Sequence, residues 1–358
     1  MERDSIKSKM KKVDFKDLDL EETRDYIKTI GLPTYRAEQI RQWIFGHNAT
    51  SFEEMINISK ELRNYLGSFF VISKLRIIKT VKSLDGTKKV LFKLEDGNRI
   101  ESVLIPEKNH YTACISSQVG CAMGCAFCLT AKQGFIRSLK SSEIINQVIQ
   151  IRELLDQPEK LTNIVFMGMG EPLANFEAVK KAVNNIISPG ALKFSRHRVT
   201  LSTCGLVPEI ERLGKDLPVN LAVSLNAGDD KTRNILMPIN KKYPLTRLTE
   251  ALKHFPLHKG RRITFEYILI KNINDRLSDA TNVARLLKDL RAKINLIPFN
   301  RYNGSPFEEP DEKRILAFQD ELIRKNHTVT IRKSKGADIS AACGQLITAT
   351  NPSINTDS

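Results

Sequence analysis

The chain has 358 residues, a formal net charge of +15 and a pI near 9.5. That length buries one large core with a smaller unit attached. The absence of an apolar leader and of any run of eighteen apolar residues argues against a secreted or helical membrane protein, and six dispersed cysteines make no disulfide framework. The positive charge favours a polyanionic partner, nucleic acid before an acidic membrane, although charge alone also suits a basic protein with no such partner.

In chain order, residues 1–74 read as a module of short amphipathic helices. One runs from about Leu20 to Ile30 and stops at Gly31-Leu32-Pro33. A second has Thr34 as N-cap and sets Ile40, Trp43 and Ile44 on one face. A third begins at Ser51, whose capping-box partner is Glu54, and Leu62, Tyr65 and Leu66 follow in the next helix. Arg36, Arg41, Lys60 and Arg63 either face a ligand or form solvated faces. Residues 75–108 alternate in the manner of strands around Asp85-Gly86 and Asp96-Gly97, which predicts a three-stranded antiparallel meander.

From residue 109 the rhythm becomes strand, loop, helix. YTACIS, NIVFMG, RVTLST, VNLAVSL, ITFEYILI and INLIPFN are the strands, with helical patterns near 142–155, 176–187, 207–214, 245–255 and 277–290. Six such units predict an α/β fold with a parallel sheet, best fitted by a partial (β/α)6 barrel whose chemistry lies at the C-terminal strand ends. A helix near 311–326, the strand VTIRKS and the segment KGADISAACGQL complete a core over 109–346, and 347–358 reads as a disordered tail.

The first barrel strand leads into CAMGCAFC, which spaces Cys121, Cys125 and Cys128 as C-x3-C-x2-C. Three thiolates can hold three irons of a four-iron, four-sulfur cluster; without a fourth cysteine nearby, one iron keeps an open position. The ligand known for this spacing is S-adenosylmethionine, which the reduced cluster cleaves to a 5′-deoxyadenosyl radical. The competing reading, a zinc knuckle completed by a distant histidine, fails because none of His110, His197, His254, His258 or His327 lies close enough for a compact finger. Phe127 stands where an aromatic residue would pack beside the adenine. The other strand ends supply a cradle for the cofactor: Gly168-Met169-Gly170-Glu171-Pro172, with Glu171 able to accept from its ammonium group, then Ser202 and Thr203, then Ser224 and Asn226, then Asn300.

YTACISSQVGCAMGCAFCLTAKQGFIRSL, FMGMGEPLAN, LSTCGLVP, LMPINKKYPL, NLIPFN and DISAACGQL, in this order, closely resemble the radical-SAM adenine-C2 RNA methyltransferases of bacteria, as does YRAEQIRQWIF in the helical module. The resemblance implies a radical-SAM barrel with an N-terminal RNA-binding module. It implies methylation of C2 of one adenosine in 23S rRNA and of an anticodon-loop adenosine in some tRNAs. It implies one [4Fe-4S] cluster on Cys121, Cys125 and Cys128, two S-adenosylmethionines consumed per methylation, a flavodoxin or ferredoxin reductant, and a cytoplasmic monomer. Carried over by position, Gly170, Glu171, Ser202, Ser224, Leu225, Asn226 and Asn300 are the cofactor contacts. Asn226 departs from the family's usual histidine, and that contact is at least partly through the backbone.

The same resemblance makes Cys343 the cysteine that is methylated, Cys114 its redox partner and Glu101 the proton acceptor. C2 of adenine is electron-poor and does not attack a methyl donor, whereas a thiolate does. In the mechanism that the resemblance implies, the radical removes a hydrogen from the methyl on Cys343 and the resulting carbon joins C2, Glu101 or a group it serves accepts the C2 proton, and Cys114 as thiolate attacks Cys343 to form a disulfide and release the methylated base. Small neighbours in Ala341-Ala342-Cys343-Gly344 leave room for a base, and Glu101 shares a strand face with Val103 and Ile105, where burial should raise its pKa. Cys204 reads as a small buried residue. A C8-methylating relative is the nearest rival, disfavoured by Val119 and Pro172; a methylthiotransferase needs a second cluster that Cys114, Cys204 and Cys343 are too scattered to hold. A non-catalytic RNA-binding protein with a structural cluster is the rival from another class.

Overall fold

The structure, a computed structural model, describes residues 12–348. Its backbone is one ten-stranded sheet whose strands lie in chain order. β1 (Arg76–Lys82), β2 (Lys88–Lys93) and β3 (Arg99–Pro106) form the antiparallel meander, and β3 pairs antiparallel with β4 (Tyr111–Cys114), Val103 opposite Cys114. From β4 every neighbour is parallel: β5 (Leu161–Phe166), β6 (Val199–Thr203), β7 (Asn220–Ser224), β8 (Ile263–Leu269), β9 (Ala292–Pro298) and β10 (Val329–Ile331). Strands of this apolar, β-branched composition are the kind buried on both faces of a parallel sheet. The meander is thus continuous with the barrel sheet, and β1 and β10 are its two edges, which leaves the barrel open.

Crossover helices return the chain beside the strand it left. They are α4 (Ser141–Glu153), α5 (Phe176–Ile187), α6 (Val207–Asp216), α8 (Leu245–Lys253), α9 (Leu277–Leu286) and α10 (Glu312–Arg324). The connection from β7 carries one further helix that the periodicity does not announce, α7 (Asp230–Leu236), capped by Asp229 accepting from Thr232 N at 2.8 Å.

The N-terminal module holds α1 (Leu20–Thr29), α2 (Tyr35–Arg41) and α3 (Lys60–Phe69). At α1, Asp19 accepts from Glu22 N (3.0 Å) and Glu22 from Asp19 N (3.1 Å), a complete capping box. Thr34 makes no side-chain cap, and α2 widens into a π turn over Gln42–Gly46. The helix expected at Ser51 is a single 3-10 turn, Phe52–Glu54. Arg41, expected to face ligand or solvent, is fully buried instead. Its Nη2 donates to Asn185 Oδ1 of α5 at 2.5 Å, its guanidinium lies over Phe45, and burial holds its pKa down to about 10. Lys16, pushed down to about 8 by burial, donates to Asn146 Oδ1 of α4 (2.7 Å) and to Ser73 O (2.8 Å). Two cations therefore fasten the module to the outer helices of the barrel. Of the expected tail, Ile347 and Thr348 are held by Glu101 and Gln133, and 349–358 lie outside the described residues.

Candidate active site

β4 delivers the cysteine loop, which a short antiparallel pair, Gln118–Gly120 with Phe135–Ser138, pinches at its base. Cys121 N donates to Gly134 O at 3.0 Å, and Cys128 N to Cys125 O at 3.1 Å. The three thiols face a cavity over the C-terminal strand ends, together with Phe127, Gly170, Glu171, Ser202, Ser224 and Asn226. Gly170 has φ +98°, and a Cβ there would fall 2.5 Å from the side chain of Gln118; the backbone turns tightly against the loop that follows β4.

Glu171 is buried at the rim of this cavity. Its Oε2 accepts from Cys204 N (2.8 Å) and its Oε1 from Leu173 N (3.1 Å), while burial pushes its pKa up against those hydrogen bonds. Each oxygen retains a lone pair for a further donor. Asn226 sits at φ +58° with its side chain engaged, Oδ1 accepting from Ile268 N (2.8 Å) and Nδ2 against Met237 Sδ (3.2 Å). Leu225 is fully buried and lines neither cavity; its carbonyl accepts from Arg233 Nε at 3.0 Å. Cys204 is buried beside the cluster cysteines.

A smaller cavity adjoins the first and is lined by Val103, Ile105, Cys114, Asn300 and Ala342. Cys343, Arg332, Met167, Ile297 and Leu346 line both. Asn300 therefore stands apart from the other cradle residues, and its Nδ2 donates to Cys343 O at 3.3 Å. Cys114 is buried, which pushes its thiol up to about 12; Cys343 adds to this and Arg332 opposes it. Glu101 lines neither cavity. Its Oε1 pairs with Lys89 Nζ at 3.1 Å and its Oε2 accepts from Ile347 N at 3.0 Å. Burial raises its pKa despite Lys89.

Two residues passed over in the sequence belong to the site. Arg332, just beyond β10, is held in its charged form first by Cys343 and then by Glu266 and Cys114, against its burial. Glu266 projects from the middle of β8 into the larger cavity; its Oε2 is buried without a hydrogen-bond partner among the described residues, and burial raises its pKa. An acidic residue inside the apolar strand ITFEYILI was the available signal.

The cavity fits an iron–sulfur cluster better than a single ion. Among the described residues no group of three His, Cys, Asp or Glu side chains converges closely enough to hold one metal ion, whereas cluster thiolates each take a different iron and stand further apart. All six cysteines are free thiols. Burial raises Cys121 to about 12 and raises Cys125 and Cys128 as well, as expected of thiols whose cationic partner would be iron. Cys204 interacts with Cys121 and Cys125, and Cys114 with Cys343, so these remaining three cysteines make no second set.

A C-x3-C-x2-C loop at the first strand end, facing a cradle built from the next strand ends of an open (β/α) barrel, defines a radical-SAM enzyme. Residues 115–284 match the radical SAM superfamily, and residues 13–72 match the ribosomal RNA large subunit methyltransferase N-terminal domain. The chain is 53% identical over 323 residues, 90% of its length and 87% of the relative's, to the dual-specificity RNA methyltransferase RlmN of Desulfosudis oleivorans. It is 50% identical to that of Geobacter sulfurreducens over 93% of this chain and 92% of the relative. A radical SAM methyltransferase crystal structure from Sphaerobacter thermophilus superposes with a TM-score of 0.88 at 40% identity, covering 93% of this chain and 99% of that one. The chain belongs to the RlmN family of radical-SAM methyltransferases, whose cofactors are a [4Fe-4S] cluster and S-adenosylmethionine. No helix among the described residues is long and apolar enough to cross a membrane.

Proposed function

We propose that this enzyme methylates C2 of one adenosine in 23S rRNA and of an anticodon-loop adenosine in some tRNAs, with Cys343 as the carrier of the one-carbon unit. The observation that supports the carrier role most is the position of Cys343 in the wall shared by two cavities. Cys121, Cys125 and Cys128 face one side, and Cys114 faces the other. Bound to those three cysteines and to the cradle of Gly170, Glu171, Ser202, Ser224 and Asn226, the cluster and cofactor supply a methyl group and, from a second cofactor molecule, a carbon-centred radical.

The remaining roles fall to the chain. Cys343 accepts the methyl through sulfur, and Arg332 is the cation beside it. Cys114, with its thiol pushed up to about 12, rests protonated and must lose that proton; its thiolate then attacks the Cys343 sulfur, the bond from sulfur to the product carbon breaks as the disulfide forms, and the freed carbon takes up a proton to become the methyl group. Glu101, which lines neither cavity, accepts the C2 proton through a group that it serves. Its Oε2 also holds Ile347 N, four residues past Cys343, so the same carboxylate helps place the carrier segment. Asn300 orients that segment through the Cys343 carbonyl. A flavodoxin or ferredoxin donates the electrons, and the enzyme works as a cytoplasmic monomer.

Nucleoside mass spectrometry of rRNA and tRNA from cells with and without the gene tests this reading. The expected result is loss of 2-methyladenosine from both RNAs and its return on complementation. Loss of the 8-methyl isomer instead would overturn the C2 assignment, and loss from rRNA alone would remove the tRNA substrate.

A further inference from the structure

The outer face of the meander carries charge that its place in the sheet does not explain. Residues opposite one another on adjacent strands point to the same side. Arg76 of β1 stands opposite Lys93 of β2, and Lys93 opposite Arg99 of β3, so one row of three cations crosses three strands. Lys79 follows in the next row, opposite Leu91 and, through it, Glu101. All four cations are exposed, whereas Val90, Phe92 and Ile100 on the other face are buried.

Like charges directly opposite one another destabilise a sheet. Lysine on an edge strand guards it against pairing with another chain. That accounts for Lys79 on β1, but not for Lys93 and Arg99 on the interior strands β2 and β3. Nor are the charges cancelled: among the described residues no carboxylate lies within ion-pair distance of any of the four. Glu101 is taken by Lys89 and Ile347 N, and Asp96 in the β2–β3 turn by Arg137.

The rows lead toward the chemistry. The second ends at Glu101, and the third runs Val81, Lys89, Val103 to Cys114. Arg99 is separated from Val103 by roughly 14 Å of strand, so the cations lie a few nucleotides from the wall that holds Cys114 and Cys343. Alongside runs the segment 133–137, tied at both ends: Gln133 Nε2 donates to Thr348 Oγ1 (2.7 Å) and Arg137 Nε to Asp96 Oδ2 (2.5 Å). Between those ties Phe135 and Ile136 are half-exposed.

Uncompensated cations in a row with an exposed aromatic beside them meet the needs of a single-stranded nucleic acid, phosphates to neutralise and a base to stack. We propose that the outer face of the meander docks the RNA strand flanking the target adenosine, with phosphates on Arg76, Lys79, Lys93 and Arg99 and an unpaired base against Phe135, and guides it to Cys343. The proposal rests on the RNA-methyltransferase reading above and extends RNA contact beyond the helical module. An acidic protein would also answer the charge, but the rows end at Glu101 and Cys114, on the substrate side, which favours RNA.

The test measures binding of a 23S rRNA fragment containing the target adenosine to the reconstituted holoenzyme across a salt series. The Arg76→Gln/Lys93→Gln/Arg99→Gln variant should bind several-fold more weakly, with the salt dependence of log K flattened by roughly 2 for three lost contacts to a single strand. Its iron content should be unchanged and its melting temperature no lower, since the repulsion within the row is gone. Phe135→Ala should weaken binding without changing the salt slope. A control, Arg285→Gln/Lys288→Gln/Arg291→Gln, removes three exposed cations near β8 and β9, toward the other edge of the sheet, and should leave the slope nearly as in the wild type. If the meander variant binds with wild-type affinity and slope, or if the control loses as much, the docking face is overturned and the RNA reading stands. If the wild type binds no RNA, both fall. Unchanged RNA binding with slower cofactor cleavage under a flavodoxin reductant would assign the face to an acidic protein and overturn the proposal.

Discussion

Two loops bring cysteines to one cavity, and they are held by opposite means. The loop of Cys121, Cys125 and Cys128 is organised mainly by local bonds, the pairing of Gln118–Gly120 with Phe135–Ser138 and the Cys121–Gly134 and Cys128–Cys125 backbone bonds, with one distant anchor inside it, Ala126 N to Leu236 O at 2.9 Å. The loop of Cys343 is fastened by partners far away in sequence. Asp338 accepts from Ser83 Oγ (2.5 Å) and Leu84 N (3.1 Å) in the β1–β2 turn, and Gly336 N donates to Asp85 at 2.9 Å. Lys89 reaches Ser340 O (3.2 Å), Leu129 N donates to Gly344 O (2.8 Å), and Glu101 receives Ile347 N. A cluster site can be carried by a short motif, but a carrier cysteine must be placed by the whole fold. Substitutions in the meander should therefore damage the carrier step while leaving the cluster intact.

The largest effect should come from the local loop. Replacing Cys121, Cys125 or Cys128 by Ala should remove the cluster, seen as lost iron and sulfide, and abolish release of 5′-deoxyadenosine. A variant with full iron content and full cleavage would break the cluster assignment. Cys343→Ala should lose all methylated product yet keep iron content and cofactor cleavage, which separates the two loops cleanly. Retained product formation would show that carbon travels by another route.

A remote tether should produce a graded loss. Asp338→Ala frees the β1–β2 turn from the carrier loop, and methylation of Cys343 should slow by up to about a hundredfold, the scale of a small misplacement of reacting groups. Iron content should stay unchanged; parallel loss of iron would mean that the loops are not independent. The smallest effect is a displacement in pH. Burial raises the Glu101 carboxyl and Lys89 pulls it down, so its ionised, proton-accepting form appears only above the ordinary carboxylate range. Lys89→Met should move the acid limb of single-turnover product formation to higher pH, and Glu101→Gln should abolish the step that the limb reports. The linked stability has the same sign: a raised carboxyl favours the fold in acid, and that contribution is lost as pH rises through its folded pKa.

The contrast between the loops also marks where sequence reading succeeds. The C-x3-C-x2-C spacing and the six strand runs are local signals, and both appear in the structure at the expected positions. Arg41 reads as facing a ligand or solvent because nothing near it announces Asn185, and Lys16 likewise carries no local sign of Asn146; both partners lie more than a hundred residues away. The continuity of the meander with the barrel rests on the β3–β4 pairing, a tertiary fact that alternation alone does not convey. Glu101 shows both sides of this: its apolar strand face is legible, whereas its clasp on Lys89 and Ile347 depends on a neighbouring strand and a segment 246 residues downstream. Arg332 and Glu266 acquire meaning only once β8 and β10 enclose the same cavity.

The central claim, that Cys343 carries the carbon and Cys114 releases it, is tested most directly by the intact mass of the Cys114→Ala enzyme purified from cells that make its RNA substrates. The account predicts a covalent protein–RNA adduct that nuclease trims to a nucleotide-sized addition, mapped by peptide sequencing to Cys343. An enzyme of unmodified mass that turns over at the wild-type rate would contradict it.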